Sequence, residues 1–311
     1  MLTHNPIAFQ KLELRQRNKG YRLLNRLQKN PYVLVSPSVF FALCFSVYPM
    51  LFCIYVSFHN WDLTRNTMEF VGLENYRFIF TNESFLKALS NTLIFALTTV
   101  LIGVILKVLV GVFLNRNKFC HNLVQTIIFT PHIISSVAIA VVFMYLMSTN
   151  GVFNYVLNFF GIDSIGWYQD PKTALMSIIV VAIWQGLGYG VLIVISGLKS
   201  IPDYIYEAAQ LDKSSKTKTF FKITVPLLSP TIFFLLVTST VTAFTSFDVV
   251  KLMTNGGPMN STSVLAFYIY QEGISFLHYG RAMAASVVLL VITSVLSLLN
   301  FAMVGKKVHY Q

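Results

Sequence analysis

The sequence predicts an all-α polytopic membrane protein with six transmembrane helices, on three observations. Of 311 residues, 55% are hydrophobic and only 11% are charged, where ordinary soluble domains carry roughly a quarter charged residues; the mean hydropathy is +0.65. Six runs stay apolar for the ~20 residues that a helix needs to cross a bilayer. Lysine and arginine gather in alternate connections between those runs, the pattern that sets the orientation of membrane helices.

Met1 to Asn30 forms a basic arm, with Lys11, Arg15, Arg17, Lys19, Arg22, Arg26 and Lys29 against a single acid, Glu13. It holds no apolar core, and the run that follows is too long for the hydrophobic region of a cleaved leader. The rest, residues 31–311, reads as one transmembrane domain. Its spans are Val33 to Ser57, Ser90 to Leu114, Leu123 to Met147, Ala174 to Leu198, Pro226 to Phe247 and Ala282 to Met303. Membrane strands would alternate polar and apolar residues over about ten positions; these runs are apolar all round, which selects helices.

The arm, Arg116 and Lys118 in the second connection, five lysines between Lys199 and Lys222 in the fourth, and Lys306 with Lys307 in the tail all fall on one side. Asp62, Glu69, Glu74, Glu83, Asp163, Asp170, Asp248 and Glu272 fall on the other. Basic loops face the cytoplasm, so both termini are expected there in a multi-pass protein, which the resemblance given below places in the bacterial inner (plasma) membrane. The net charge of +11 is then a topology signal, and no nucleic-acid partner is expected. The arm also suits anionic lipid headgroups.

Cys44 and Cys53 lie within the first apolar run and Cys120 in a short connection, which implies neither a disulfide framework nor a metal site. No GxxxxGK[ST], HExxH or GxSxG pattern is found. The chain is therefore expected to be no enzyme and to bind no cofactor of its own.

Ionisable residues inside a membrane are functional candidates, and the spans hold few. Lys107 stands seven residues from the end of the second span, and either snorkels to the interface or packs within the bundle, or meets solute. His132, beside Pro131, is either a helix contact or a ligand. Thr238, Thr242 and Thr245 or Ser246 recur at helical spacing in the fifth span, as do Ser286, Thr293, Ser297 and Asn300 in the sixth. Such stripes either line a polar path or join helices. Trp184 and Gln185 pair an aromatic face with an amide, the combination a sugar ring needs. The candidate substrate set is thus Trp184, Gln185, Thr242, Ser246 and Ser286.

The longest cytoplasmic connection, Ser200 to Pro230, is patterned. Pro202-Asp203 suits a helix start, Tyr204 to Leu211 continues with helix formers, and Asp212 to Ser215 reads as a turn. A second short helix around Lys216 to Lys222 precedes Pro226. Ala208 and Ala209 leave room for close approach, while Glu207 and Asp212 offer charge.

Glu207, Ala208, Ala209, Asp212, Phe220, Ile223, Pro226 and Pro230 stand in the register of a cytoplasmic EAA loop, EAAxxDGAxxxxxFxxIxxPxxxP. By these residues the chain resembles the membrane-spanning subunits of binding-protein-dependent ABC importers. "FVGLENYRFIF", "NTLIFAL", "GVFNYVL", "MTNGGPMNSTSVLAFYIY" and "YGRAMAASVVL" are similar to the carbohydrate-uptake branch, including the first permease subunits of maltose and glycerol-3-phosphate systems. The resemblance covers most of the chain from about Tyr32 onward and leaves out the basic arm. Lys213-Ser214 replaces the usual Gly-Ala.

The resemblance implies a type I ABC importer permease fold. It implies a heterodimer with a second homologous permease subunit, two ATPase subunits that bind ATP and Mg, and an extracytoplasmic solute-binding protein. It makes Glu207, Ala208, Ala209, Asp212 and Phe220 the ATPase-coupling residues, in a loop spanning 200–225. The expected function is import of a sugar or oligosaccharide; a glycerol-3-phosphate or related polyol-phosphate importer is one alternative, and an ion-coupled secondary carrier is the alternative from another class.

Overall fold

A computed structural model describes residues 31–62, 67–115 and 119–303. The basic arm, Arg116, Lys118, Lys306 and Lys307 lie outside the described residues, as does the Cys120 side chain. The chain divides into two compact units, residues 1–55 and 56–311.

In its described part the first unit is an apolar helix: α1 (Pro31–Ala42) passes through a π-helical turn, Leu43–Val47, into α2 (Tyr48–Val56). The π turn has a local cause. A prolyl ring inside a helix lacks an N–H and collides with the carbonyl four residues back. Tyr48 N–H instead reaches the Leu43 carbonyl, which widens the turn one residue ahead of Pro49. The same device recurs at Phe220–Thr224, where Val225 N–H bonds Phe220 O one residue ahead of Pro226.

The second unit opens with a small antiparallel hairpin, β1 (His59–Asp62) and β2 (Thr67–Phe70), with His59 opposite Phe70. The sequence reading has no strand here, because four residues are too few to display an alternation. Asn75, on α3 (Glu74–Thr81), donates to the Ser57 and His59 carbonyls at 2.9 and 3.0 Å and ties the hairpin down. The long α4 (Glu83–Leu114) follows, capped by Asn82, whose Oδ1 accepts from Phe85 N–H at 3.0 Å.

The apolar segment expected as a single span from Leu123 to Met147 is instead two helices, α5 (Phe119–Ile133) and α6 (Ser136–Leu146), which meet at 105°. Pro131 removes a backbone donor near the end of α5, and Ser135 starts α6 afresh, its Oγ accepting from Val137 N–H at 3.3 Å. Hydropathy counts apolar residues and is blind to such a change of direction. Then come α7 (Val152–Phe159), α8 (Ala174–Lys199), α9 (Asp203–Leu211), α10 (Lys216–Thr219), α11 (Val225–Leu227), α12 (Ser229–Phe244), α13 (Asp248–Met253), α14 (Leu265–Tyr270) and α15 (Tyr279–Met303). Among the described residues five helices are long and apolar enough to cross a membrane, and the bent pair supplies a sixth apolar segment.

Within the second unit α8 packs against both α4 and α5. Gly188 permits the second contact, since a Cβ there would overlap the Ile128 carbonyl and the Phe129 Cα; small residues at such crossings let membrane helices approach. Phe95, Phe143, Ile178, Phe244, Val250 and Phe267 form the main core. A second cluster, of Val108, Val194, Leu198, Leu228 and Leu235, closes the end near the α8–α9 connection. The outward face of α4 is equally apolar, with Leu97 64% and Phe113 66% exposed. Water penalises such a face, whereas lipid accepts it because the helix satisfies its own backbone.

Candidate functional site

Two regions of the second unit gather polar chemistry. The first is the connection after α8. Ile201 is buried among Leu198 and Leu228 and anchors the chain as it leaves the membrane helix. Pro202, in extended backbone, then starts α9, with Asp203 in its first turn. Ile205, Tyr206 and Phe220 lean on the same cluster, and the Tyr206 hydroxyl donates to Thr224 Oγ1 at 3.4 Å, holding the two arms of the loop together.

Because one side of α9 is anchored, the other is presented. Tyr204 (69% exposed) and Leu211 (84%) flank Ala208, and Glu207 and Asp212 are also exposed. The spacing 204, 208, 211 makes a single helical face. The structure divides the predicted coupling residues accordingly: Glu207, Ala208 and Asp212 face out, whereas Ala209 is 7% exposed and Phe220 packs inward. Adjacent helical positions point about 100° apart, so only one alanine of the pair is open to a partner. Sequence reasoning missed Tyr204 and Leu211; a large apolar residue on either side of an exposed alanine, at helical spacing, was the available signal.

The turn after α9 is a Schellman motif. Ser214 N–H bonds Ala209 O and Lys213 N–H bonds Gln210 O, each at 3.0 Å, which is the paired arrangement that closes a helix C-terminus. Its left-handed residue is Lys213, with φ of 52°. The lysine thus adopts the backbone that glycine takes without cost. A groove of about 740 Å³, lined by Val112, Asn115, Lys199, Asp203 and Tyr206, runs beside this loop.

The second region is a cleft of about 140 Å³ between α4, α8 and α12, with Thr99, Lys107, Tyr189, Thr238, Ser239, Thr242 and Ser246 among its lining residues. Thr242 and Ser246, predicted from the stripe on the fifth span, meet there. Thr238, from the same stripe, lines it too, whereas Thr99 and Ser239 were missed: Ser239 stands beside the stripe, at i, i+3 and i+7 with Thr242 and Ser246.

The other predicted substrate residues stand elsewhere. Trp184 sets its ring edge-on to Phe143, 5.0 Å between centroids. Gln185 donates to Ser136 Oγ at 3.3 Å, at the start of α6. Ser286 returns its hydroxyl to the Ala282 carbonyl at 2.9 Å. None of the three lines the cleft.

Lys107 does not snorkel. Its Nζ donates to Ser239 Oγ at 2.9 Å, and its stem crosses Gly190, where a Cβ would overlap the lysine Cγ, Cδ and Cε. The lysine therefore reaches across the bundle towards α12. His132, itself exposed, stacks on the cleft-lining Tyr189 at 4.9 Å and 19°.

Residues 99–307 match the family model described as binding-protein-dependent transport system inner membrane component. The chain is 35% identical over 285 residues to the probable ABC transporter permease protein YesP of Bacillus subtilis (strain 168), covering 90% of this chain and 92% of that one. It is 31% identical over 284 residues to the sn-glycerol-3-phosphate transport system permease protein UgpA of Pectobacterium atrosepticum, covering 90% and 96%. A solved bacterial ABC transporter involved in the import of the acidic polysaccharide alginate superposes with a TM-score of 0.80 at 26% identity, over 92% of this chain and 99% of that one.

Proposed function

The chain belongs to the family of binding-protein-dependent transport system inner membrane components, and from that premise we propose how it works: solute handed over by a binding protein passes along the α4–α8–α12 cleft, and a separate ATPase drives the passage through α9. The chain is a multi-pass inner-membrane permease subunit of the sugar and oligosaccharide class of ABC importers. Membership of a binding-protein-dependent family sets aside the ion-coupled secondary carrier.

The exposed face of α9 carries the proposal. Tyr204, Ala208 and Leu211 form an apolar strip with a small residue at its middle, and Glu207 and Asp212 lie beside it. Apolar side chains on a helix that faces the cytoplasm support a protein contact there, of the helix-in-groove kind. Fixed to the membrane core through Ile201, Ile205 and Phe220, α9 is built to pass a push from the ATPase to α8 and α12. ATP and Mg would be held by that partner. The full assembly in this reading has a second homologous permease, two ATPases and a binding protein, with both termini of this chain cytoplasmic. The cleft hydroxyls suit polyhydroxylated solute.

The relative named for sn-glycerol-3-phosphate transport favours a second reading of the cargo, a glycerol-3-phosphate or related polyol phosphate. The coupling test applies to either cargo. Glu207→Lys is expected to leave the protein in the membrane while lowering co-purification of the ATPase and abolishing ATP-driven uptake. Full uptake with normal ATPase stimulation would remove α9 as the docking surface.

A further inference from the structure

We propose that the solute carries a negative charge, and that Lys107 reads this charge within the membrane. The proposal deepens the reading of this chain as a sugar-class permease subunit and rests on it; it names an anionic saccharide or polyol as the substrate class.

The first support is the direction of the side chain. Lys107 lies seven residues from the Leu114 end of α4, roughly 10 Å by helical rise. Its ammonium is bonded to Ser239, which lies ten residues into α12, roughly 15 Å from the Ser229 end. Those two ends share one side of the bundle, where Val108, Leu198 and Leu228 cluster. Gly197 meets Thr231 and Gly190 meets the Lys107 stem, so Ser239 stands at about the depth of Lys107 itself, and the charge is held across the bundle instead of turning to the nearer interface. A lysine present only as a tolerated surface residue would turn the other way.

Room has been made for it as well. Gly190 is the position on α8 at which any Cβ would strike the lysine stem. No carboxylate lines the cleft among the described residues. An intramembrane charge without a counter-charge is costly, and an anionic solute supplies the counter-charge.

The hydroxyls complete the match. Thr99, Thr238 and Thr242 give their own protons to carbonyls one turn back, at 2.7, 2.8 and 2.9 Å. Towards the cleft they therefore present lone pairs, which accept from sugar hydroxyls. Ser239 accepts from Lys107 and keeps its O–H to donate. The ammonium has three N–H groups and uses one on Ser239. The cleft has a row of acceptors and one donor-rich cationic pole, the complement of a polyol with an anionic group at one end.

The test uses the complete transporter in proteoliposomes and three probes: glycerol 3-phosphate, digalacturonate and maltose. Calorimetry first shows which probe the cognate binding protein takes, and an anionic one is expected. Lys107→Met should then cut uptake of that probe at least about tenfold in a complex that still assembles, while Lys107→Arg restores uptake. The proposal is overturned if the binding protein takes neither anionic probe, or if Lys107→Met transports at the wild-type rate. It is also overturned if Lys107→Met and Lys107→Gln both fail to assemble while Lys107→Arg assembles, which makes the lysine a structural counter-charge. Failure of the wild-type complex to move any solute on ATP would remove the permease reading itself, a separate result.

Discussion

The carboxamide oxygen of Asn154 accepts the indole N–H of Trp167 at 3.0 Å, and the same oxygen accepts Ile165 N–H at 3.0 Å. On its other side the Asn154 amide donates to the carbonyls of Ser148, Thr149 and Ile165. One fully buried side chain thus satisfies the backbone of the connection between α6 and α8. Asn154→Ala should lower stability by about 2–4 kcal/mol, since it strands several buried polar groups at ~1–3 kcal/mol each. Thermal unfolding in detergent checks it, and Asn154→Asp should be no better, because it offers no donors to three carbonyls.

Lys213 is expected to be a strained cap. Replacing it by glycine should relieve a left-handed backbone that costs an L-residue roughly 1–2 kcal/mol, partly offset by the freer unfolded chain. Slower hydrogen exchange at the Ser214 amide, which closes the Schellman turn onto Ala209, is the expected readout. Lys213→Val should speed that exchange.

The two alanines of the coupling loop should fail differently. Ala208→Leu enlarges an exposed position and should abolish ATPase stimulation with stability unchanged. Ala209→Leu overfills a buried site and should cost about 1–3 kcal/mol of stability. Identical behaviour of the two variants in thermal unfolding would contradict the division of this face.

Gly188→Leu should separate α5 from α8, because the side chain must enter space held by the Ile128 carbonyl. Loss of membrane-inserted protein is expected, and Gly186→Leu, where a Cβ meets nothing within 4 Å, should be tolerated. Comparing the amounts of each in isolated membranes distinguishes them.

Trp184→Ala should leave the KM for uptake unchanged, because the ring packs edge-on to Phe143 and does not line the cleft. Thr242→Val, which removes a lining hydroxyl, should raise KM. Initial uptake rates across a concentration series test both.

Several features of this molecule are legible in its residues because they are local or additive. Hydropathy summed along a run finds a membrane helix wherever the run is unbroken, and did so for Glu83–Leu114 and Ala174–Lys199. It found the apolar segment Leu123 to Met147 as well but not its bend, where Pro131 and Ser135 turn the chain without changing its apolarity. The small hairpin His59–Asp62 and Thr67–Phe70 is too short to leave a periodic trace.

The candidate site was half legible. Periodicity along one helix found Thr242 and Ser246, but which of several stripes faces a shared space depends on neighbouring helices. Trp184 and Gln185 have chemistry suited to a sugar, but they stand outside this cleft, Trp184 exposed and edge-on to Phe143 and Gln185 bonded to Ser136.

By itself the sequence determined that this chain spans a membrane, that its family is that of binding-protein-dependent permeases, and that Ser200 to Pro230 is a built loop. The first and the last follow from composition, charge order and spacing, and the family from the resemblance carried by the Glu207 to Pro230 register, all of them properties of the chain alone. Only the tertiary structure decided which alanine is open, which hydroxyls share a cleft and which way Lys107 reaches. Each of those depends on what the folded chain places opposite the residue: Ala209 is buried where Ala208 is open, and Lys107 finds Gly190 and Ser239.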